Sequence, residues 1–529
     1  MVEIIMENRP GKRTNRRRGR ATPTPPIQFP DAFILSGGSG ERPGFGFLNE
    51  AAMARLTDRT FELLEDYGVV VIHPAAIKAL QKAGARAGAD GDRLRLPRKL
   101  VEQALAATPK QVSLYGKTPQ RDIHLPRSDG GFIMRTGTGA HGYVDPQTGV
   151  YRNLDLVAVA EMAAVASGLD QVGFIAHPFV HGVPEITADI HSLAQMIRHT
   201  DKHVWVQPYA RENIDYLMDI AIIAAGGEEK LRERPLASCI TCSFSPLEFK
   251  FMDTEIIIQA GRYGLPLHAC SLPSAGGTAP LSTPGMVLMA AAEILAMVTL
   301  THVLSPGTPV IATPLMFTLD MRTGSALQSC SESLQAASMA IQLMKHGFGL
   351  PAHTYGSGSD TPDVDVQSMA ERALLGQAVA LSGVDILGGV GQLECATVFS
   401  PVQAVLDNEI GAILRRFIEI PEITDESLNW AEVSSIRSGG HFLDSGHTLK
   451  YCRDQVTPKA FLRQGRDDYE KSNRHTAFDQ ARQIALDLIR DARPEGLLGE
   501  DANRAMAQVV ADADRHILAA AKSSAAAVI

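Results

Sequence analysis

Two histidine pairs, His177/His181 and His199/His203, stand four residues apart, the spacing that lets two imidazoles share a metal ion on one helix face. Neither pair sits where that geometry would form. His177 runs into Pro178 in a loop, and His199 and His203 straddle a helix-to-strand turn. Cys239 and Cys242 match half of a zinc site, but in a strand their side chains face opposite sides, and no second cysteine pair accompanies them. Gly388, Gly389 and Gly391 lack the third glycine of a dinucleotide fingerprint, and no phosphate-loop lysine follows. They read as a tight turn after a strand, and no bound metal is expected.

The elements that must carry any chemistry show a strong rhythm. Short, continuously apolar runs at 131–136, 171–178, 203–208, 237–243, 266–271, 309–313, 350–356 and 384–389 read as parallel strands buried on both faces. Helix-length stretches follow each of them, at 154–167, 186–199, 213–225, 249–263, 285–303, 327–346, 366–381 and 402–417. Eight successive βα units predict an α/β fold, a closed (β/α)8 TIM barrel over 131–417, with its chemistry on the loops after the strands. An open doubly wound sheet is the competing architecture. Ser245-Pro-Leu-Glu248 and Ser400-Pro-Val-Gln403 each predict a helix start, with serine at the N-cap and proline at the first helical position.

The flanks differ. Residues 1–30 carry Arg16, Arg17, Arg18 and Arg20 and then four prolines, and they predict a disordered, solvated arm with no export signal. Residues 31–130 predict a small α/β region, in which Met53, Leu56, Thr60, Leu63, Leu64 and Tyr67 share a helix face. Residues 418–529 predict a helical extension with a final helix at 477–492 and a fraying alanine-rich end. The net charge of −9 argues against nucleic acid, and six cysteines over this length are no disulfide framework. The longest apolar stretch, 286–298, is broken by Glu293 and too short to span a bilayer. A cytoplasmic enzyme that forms a homo-oligomer is expected.

Several segments in one order carry a resemblance. They are Arg93-Leu-Arg-Leu-Pro-Arg-Lys-Leu-Val-Glu-Gln-Ala-Leu-Ala-Ala-Thr-Pro-Lys110, Gly388-Gly-Val-Gly-Gln-Leu-Glu394, Phe399-Ser-Pro-Val-Gln403 and Leu406-Asp-Asn-Glu-Ile410. Gly440-His-Phe-Leu-Asp-Ser-Gly-His-Thr-Leu449 and Gly465-Arg-Asp-Asp-Tyr-Glu470 follow. Over roughly residues 48–488 the chain resembles the trimethylamine methyltransferase superfamily of corrinoid-dependent methyltransferases. That resemblance implies a barrel that moves a methyl group from an amine to the Co(I) of a separate corrinoid protein. The cobalamin would be carried by that partner and not held tightly by this chain. Asp189 and His191 begin an Asp-x-His-x-x-Gly corrinoid signature, but Ala194 replaces the glycine and the stretch is helical, so no cobalamin domain is expected here. The archetype carries pyrrolysine in the region aligned with residues 355–367, which here holds only standard residues. The departure points to the branch that acts on quaternary amines such as glycine betaine.

A quaternary nitrogen cannot donate an N–H bond, so it calls for aromatic faces and a nearby carboxylate. Tyr143, Tyr209, Phe317 and Tyr355 supply rings after the predicted strands, and Glu394 supplies the acid. Gln207, Arg322 and His353 suit an anionic end of the substrate, and Asp360 joins Glu394 as a candidate catalytic carboxylate. Each has a plainer use. Phe317 can plug the barrel top, Glu394 can brace the next helix, His353 can be a core histidine, and Asp360 with Asp363 can shape a loop. Two other classes stay open: a metal-dependent hydrolase or lyase using His177, His181 and Glu394, and a non-catalytic sensor of quaternary amines.

Overall fold

Apolar runs too short for helices become the staves of a barrel. The computed structural model describes residues 34–37, 40–88, 92–137, 139–493 and 495–526, and the basic arm expected at 1–30 lies outside them. The staves are β1 (Ile133–Thr136), β2 (Val172–Ala176), β3 (His203–Val206) and β4 (Ala237–Cys242), then β5 (Leu267–Ser271), β6 (Val310–Pro314), β7 (His353–Tyr355) and β8 (Ile386–Val390). They pair in parallel in the order β6-β5-β4-β3-β2-β1-β8-β7. A bridge between Ala312 and Ala352, with Ala312 N–H donating to the Pro351 carbonyl at 2.9 Å, closes the ring. The (β/α)8 barrel is therefore the architecture, and the open sheet is not. β7 is shorter than residues 350–356 predict, because Pro351 has no N–H to give a ladder and Gly349 sits at φ +64°.

One helix follows each strand on the outside: α1 (Leu156–Gly168), α2 (Ala188–His199), α3 (Ile214–Ala225), α4 (Phe251–Tyr263), α5 (Thr283–Leu304), α6 (Ser331–Gln342), α7 (Val366–Leu381) and α8 (Pro401–Phe417). Ser400 caps α8 as predicted, its Oγ accepting from Gln403 N–H at 3.2 Å. Ser245 does not cap α4. Its hydroxyl donates to Glu293, and Glu248–Phe249 is drawn into a parallel pair with Val69–Val71, so the helix begins only at Phe251. α5 has the length and composition of a bilayer-crossing helix, longer than residues 286–298 suggest, but 72% of its apolar window is buried by the protein itself.

The flanking segments close the barrel's lower end and wrap its side. The hairpin Val112–Leu114/Ile123–Leu125 packs its apolar side chains into the bore beneath Ile133, Phe174, Ile240 and Ile311. At the other terminus α9 (Ala477–Arg490) lies on α8 and α1. It is not the last helix. α10 (Glu500–Ala526) runs on along α3 and α2, because Met506, Ala513 and Ile517 fall on one face and are buried there.

The core holds four imidazoles that burial keeps neutral. His177 and His203 are pushed down to about 4, and His268 and His353 fall well below the usual histidine range. Such a group takes up its proton near pH 6.5 when unfolded but resists it when folded, so stability is lost as pH falls from about 6.5 towards 4. Each of His177 and His203 is expected to remove on the order of 2 kcal/mol by pH 5. Urea denaturation should show a lower midpoint at pH 5 than at pH 7. His203→Asn should flatten that slope; an unchanged slope would count against the assignment.

Candidate active site

Two buried carboxylates hold the loops at the C-terminal end of the strands. Glu293, in the middle of α5, accepts from Ser243 Oγ at 2.6 Å, Ser245 Oγ at 2.8 Å and Leu247 N–H at 2.9 Å in the loop after β4, and from Ser271 Oγ at 2.6 Å at the end of β5. Across the barrel Asp407 of α8 pairs with Arg372 of α7 at 2.9 Å, both side chains fully buried. Asp407 also accepts from Gly391 N–H at 2.7 Å and Gln403 Nε2 at 3.0 Å. Arg372 donates onward to the carbonyls of Ser357 and Gln392, tying the loops after β7 and β8 together. Burial pushes Asp407 up to about 6 against the pull of Arg372.

Within this frame the upper bore is polar. Arg135 of β1 is fully buried, with its Nε donating to His353 Nε2 at 2.7 Å and its Nη1 to the Thr136 carbonyl at 2.7 Å. Its guanidinium lies over the Trp205 ring at 4.3 Å and the Tyr355 ring at 5.3 Å. His268 stands 4.9 Å from Trp205 and 5.8 Å from His353, ring centre to ring centre. Gly388 makes room for the cluster: a Cβ there would lie 2.8 Å from His353 Nε2 and 3.0 Å from Arg135 Nε. Phe317, half-buried, leans on Tyr355 at 6.0 Å, with half-buried Gln207 directly after β3 and half-buried Cys242 at the end of β4.

A second hollow opens beside the bore, between the loops after β2 and β3. It encloses about 890 Å³ and is lined by His141, Phe179, His181, Glu185, Ile186 and Tyr209, among others. Phe179 and Tyr209 stack at 4.6 Å with planes 24° apart, and Phe179 is exposed. Asp189 fixes this wall: it accepts from Tyr209 N–H at 2.8 Å and Asn213 Nδ2 at 2.7 Å, and burial pushes it up to about 6. Exposed Phe179, Phe244, Leu272 and Met321 give the rim an apolar edge on four loops.

The structure gathers Gln207, Phe317, His353 and Tyr355 at the bore and places Tyr209 on the wall of the hollow. Other expected residues are committed elsewhere. Tyr143 is fully buried in a hairpin, its hydroxyl donating to Glu161 at 2.7 Å and its ring flanked by Phe399 and Arg152. Arg322 is 91% exposed and turned to Asp320 at 3.4 Å. Asp360 accepts from the backbone of Gln328 and Ser329, at 2.9 and 3.0 Å, and so ties two loops. Glu394 is exposed at φ +47° in the turn between Gln392–Leu393 and Val398–Phe399. His177, His181 and Glu394 form no metal cluster among the described residues. Arg135, Trp205 and His268 are the residues the sequence reading passed over. A charged or polar residue inside a fully buried strand is the signal that marks them.

Fold and site together define a (β/α)8-barrel enzyme with a polar floor and an aromatic-walled mouth. The family described as trimethylamine methyltransferase (MTTB) matches residues 9–517. The chain belongs to that family and is a methyltransferase. It is 27% identical over 467 residues to a trimethylamine methyltransferase of Desulfitobacterium hafniense, covering 88% of this chain and 94% of that one. It is 25% identical over 440 residues to a glycine betaine methyltransferase of the same species, covering 82% and 90%. The crystal structure of the Methanosarcina barkeri monomethylamine methyltransferase shares the fold, with a TM-score of 0.50 at 14% identity over 84% of this chain and 89% of that one.

The clamp between α7 and α8 has a measurable consequence. Asp407→Asn leaves Arg372 without a counter-charge and should cost about 3–5 kcal/mol in urea denaturation, whereas the apolar pair Arg372→Met/Asp407→Leu should cost less than either single change. Losses that simply add would contradict a clamp.

Proposed function

We propose that the chain demethylates a small quaternary amine, glycine betaine or a close relative such as carnitine or proline betaine, and hands the methyl group to a separate corrinoid protein. The observation that carries the reading is the stacked Phe179–Tyr209 wall in a hollow at the C-terminal end of the strands. The loop at 355–367 supports it, since it holds only standard residues where the family archetype carries pyrrolysine.

A trimethylammonium group spreads its charge over apolar methyls and packs on ring faces, each contributing about 0.5–2 kcal/mol. The nitrogen is already cationic, so when the C–N bond breaks its electron pair stays on a neutral tertiary amine and no proton has to be supplied. The side chains then have to orient one N-methyl outward and exclude water. Neutral His353 and Tyr355 suit that task, because neither offers a competing charge or nucleophile. The apolar edge of Phe179, Phe244, Leu272 and Met321 fits a protein partner that must bring its own cofactor to the mouth. That cofactor, a Co(I) corrinoid, supplies the nucleophile.

Incubation with chemically reduced cobalamin and a panel of betaines, carnitine, choline and trimethylamine tests the reading by loss of the Co(I) absorbance. Loss with a quaternary amine and none with trimethylamine is expected. Turnover of trimethylamine alone would overturn it. Phe179→Leu should raise the KM for the active amine about 2- to 30-fold with little change in kcat.

A further inference from the structure

A fully buried arginine without a carboxylate partner is an incomplete ion pair, and Arg135 has no such partner among the described residues. Moving a guanidinium out of water is costly unless a counter-charge or a full set of acceptors receives it. His353 Nε2 and the Thr136 carbonyl take two of its five N–H groups, the Trp205 face takes some of the charge, the Tyr355 hydroxyl lies within its reach, and Nη2 has no well-formed hydrogen bond among the described residues. Burial lowers Arg135 only to about 10, so the group is charged at neutral pH.

The surrounding groups are donors too. Because Arg135 donates to His353 Nε2, the His353 proton sits on Nδ1, and that N–H has no acceptor among the described residues. Trp205 Nε1–H is buried and equally without a partner among the described residues. Trp205 and His353 are 5.5 Å apart, ring centre to ring centre, and the guanidinium is 4.3 Å from the Trp205 ring. The hydroxyl of Tyr355 lies beside the same guanidinium and is already engaged by Gln392. Two of the five guanidinium N–H groups filled by neutral acceptors, with the buried, unpartnered N–H groups of His353 and Trp205 beside the guanidinium, describe a seat for an acceptor-only group.

Resting on the quaternary-amine reading, we infer that Arg135, Trp205 and His353 form a carboxylate seat in the upper bore, so that the substrate is a zwitterion whose carboxylate end is bound below its ammonium end. Phe317, the half-buried ring that leans on Tyr355, is the side chain a ligand entering the bore would have to pass. Arg322, on the exposed loop after β6, is not needed for this end. The geometry sets polarity as well as affinity: an anion held on the floor turns the cationic methyls towards the mouth, where an acceptor arrives.

Calorimetric binding to the full chain, without any methyl acceptor, tests this with three ligands. Glycine betaine has both charges, 3,3-dimethylbutanoate is its carbon isostere with only the carboxylate, and choline keeps only the cation. The wild type should bind the two carboxylates, and Arg135→Gln should weaken both about 10- to 100-fold while leaving choline unchanged. Should Arg135→Gln fail to fold, Trp205→Phe removes one donor only, and a selective loss of carboxylate affinity of several-fold is expected. Equal weakening of all three ligands, or a wild type that prefers choline, would overturn the seat. Methyl transfer from choline but not from glycine betaine would also overturn it while sparing the quaternary-amine reading. Carboxylate binding that depends on Arg135, in a protein that demethylates no quaternary amine, would sink that reading and leave the seat standing.

Discussion

The buried ion pair between Arg372 and Asp407 is the constraint on which one side of the mouth depends. Neither charge touches water, so each must be satisfied by the protein, and the groups that do so are the backbone of the loops after β7 and β8. The pair thereby converts a desolvation cost into geometry: Ser357, Gly391 and Gln392 cannot drift without stranding a charge. Gly391 meets this demand at φ +77°, where its N–H reaches Asp407 and a Cβ would strike the Phe399 ring at 2.4 Å. A side chain at that position would break both conditions.

Glu293 does the same work on the opposite side with neutral partners. Three serine hydroxyls and one backbone N–H converge on a carboxylate carried by a long, largely buried helix of the barrel. The loops after β4 and β5 are thus pinned to α5, which is buried from Met286 to Thr301 along most of its inner face. Two acids on outer helices, one ion-paired and one hydrogen-bonded, set the shape of a mouth they do not enter. This is how loops gain the precision that strands have by default.

The strand positions were legible because each is a short apolar run that no helix could use, and helices 366–381 and 402–417 emerged within one residue of their predicted bounds. Tertiary demands that no local pattern records explain what was not legible. Ser245 has the chemistry of a cap, but Glu293, 48 residues away, claims its hydroxyl. Tyr143 has the right ring on a loop after β1, yet the hairpin 142–153 folds it inward onto Glu161. Asp360 reads as a catalytic acid and instead receives two backbone N–H groups. Arg135 escaped notice for the opposite reason: a single charge within an apolar run looks like noise, although in a strand buried on both faces every charge must have a use.

The upper bore obeys one electrostatic rule. Arg135 is charged, and the groups packed around it, His268, His353, Tyr355 and Trp205, are neutral: the histidines because burial and the guanidinium both oppose their protonation, the tyrosine because burial holds its proton against the pull of Arg135. A carboxylate built into the bore would pair with Arg135 and silence it. A protonated histidine would compete with a cationic ligand at the mouth. With neither among the described residues of the bore, the field of the barrel runs from a fixed positive floor to an aromatic, electron-rich mouth, and a small zwitterion has one orientation in which both its ends are favoured.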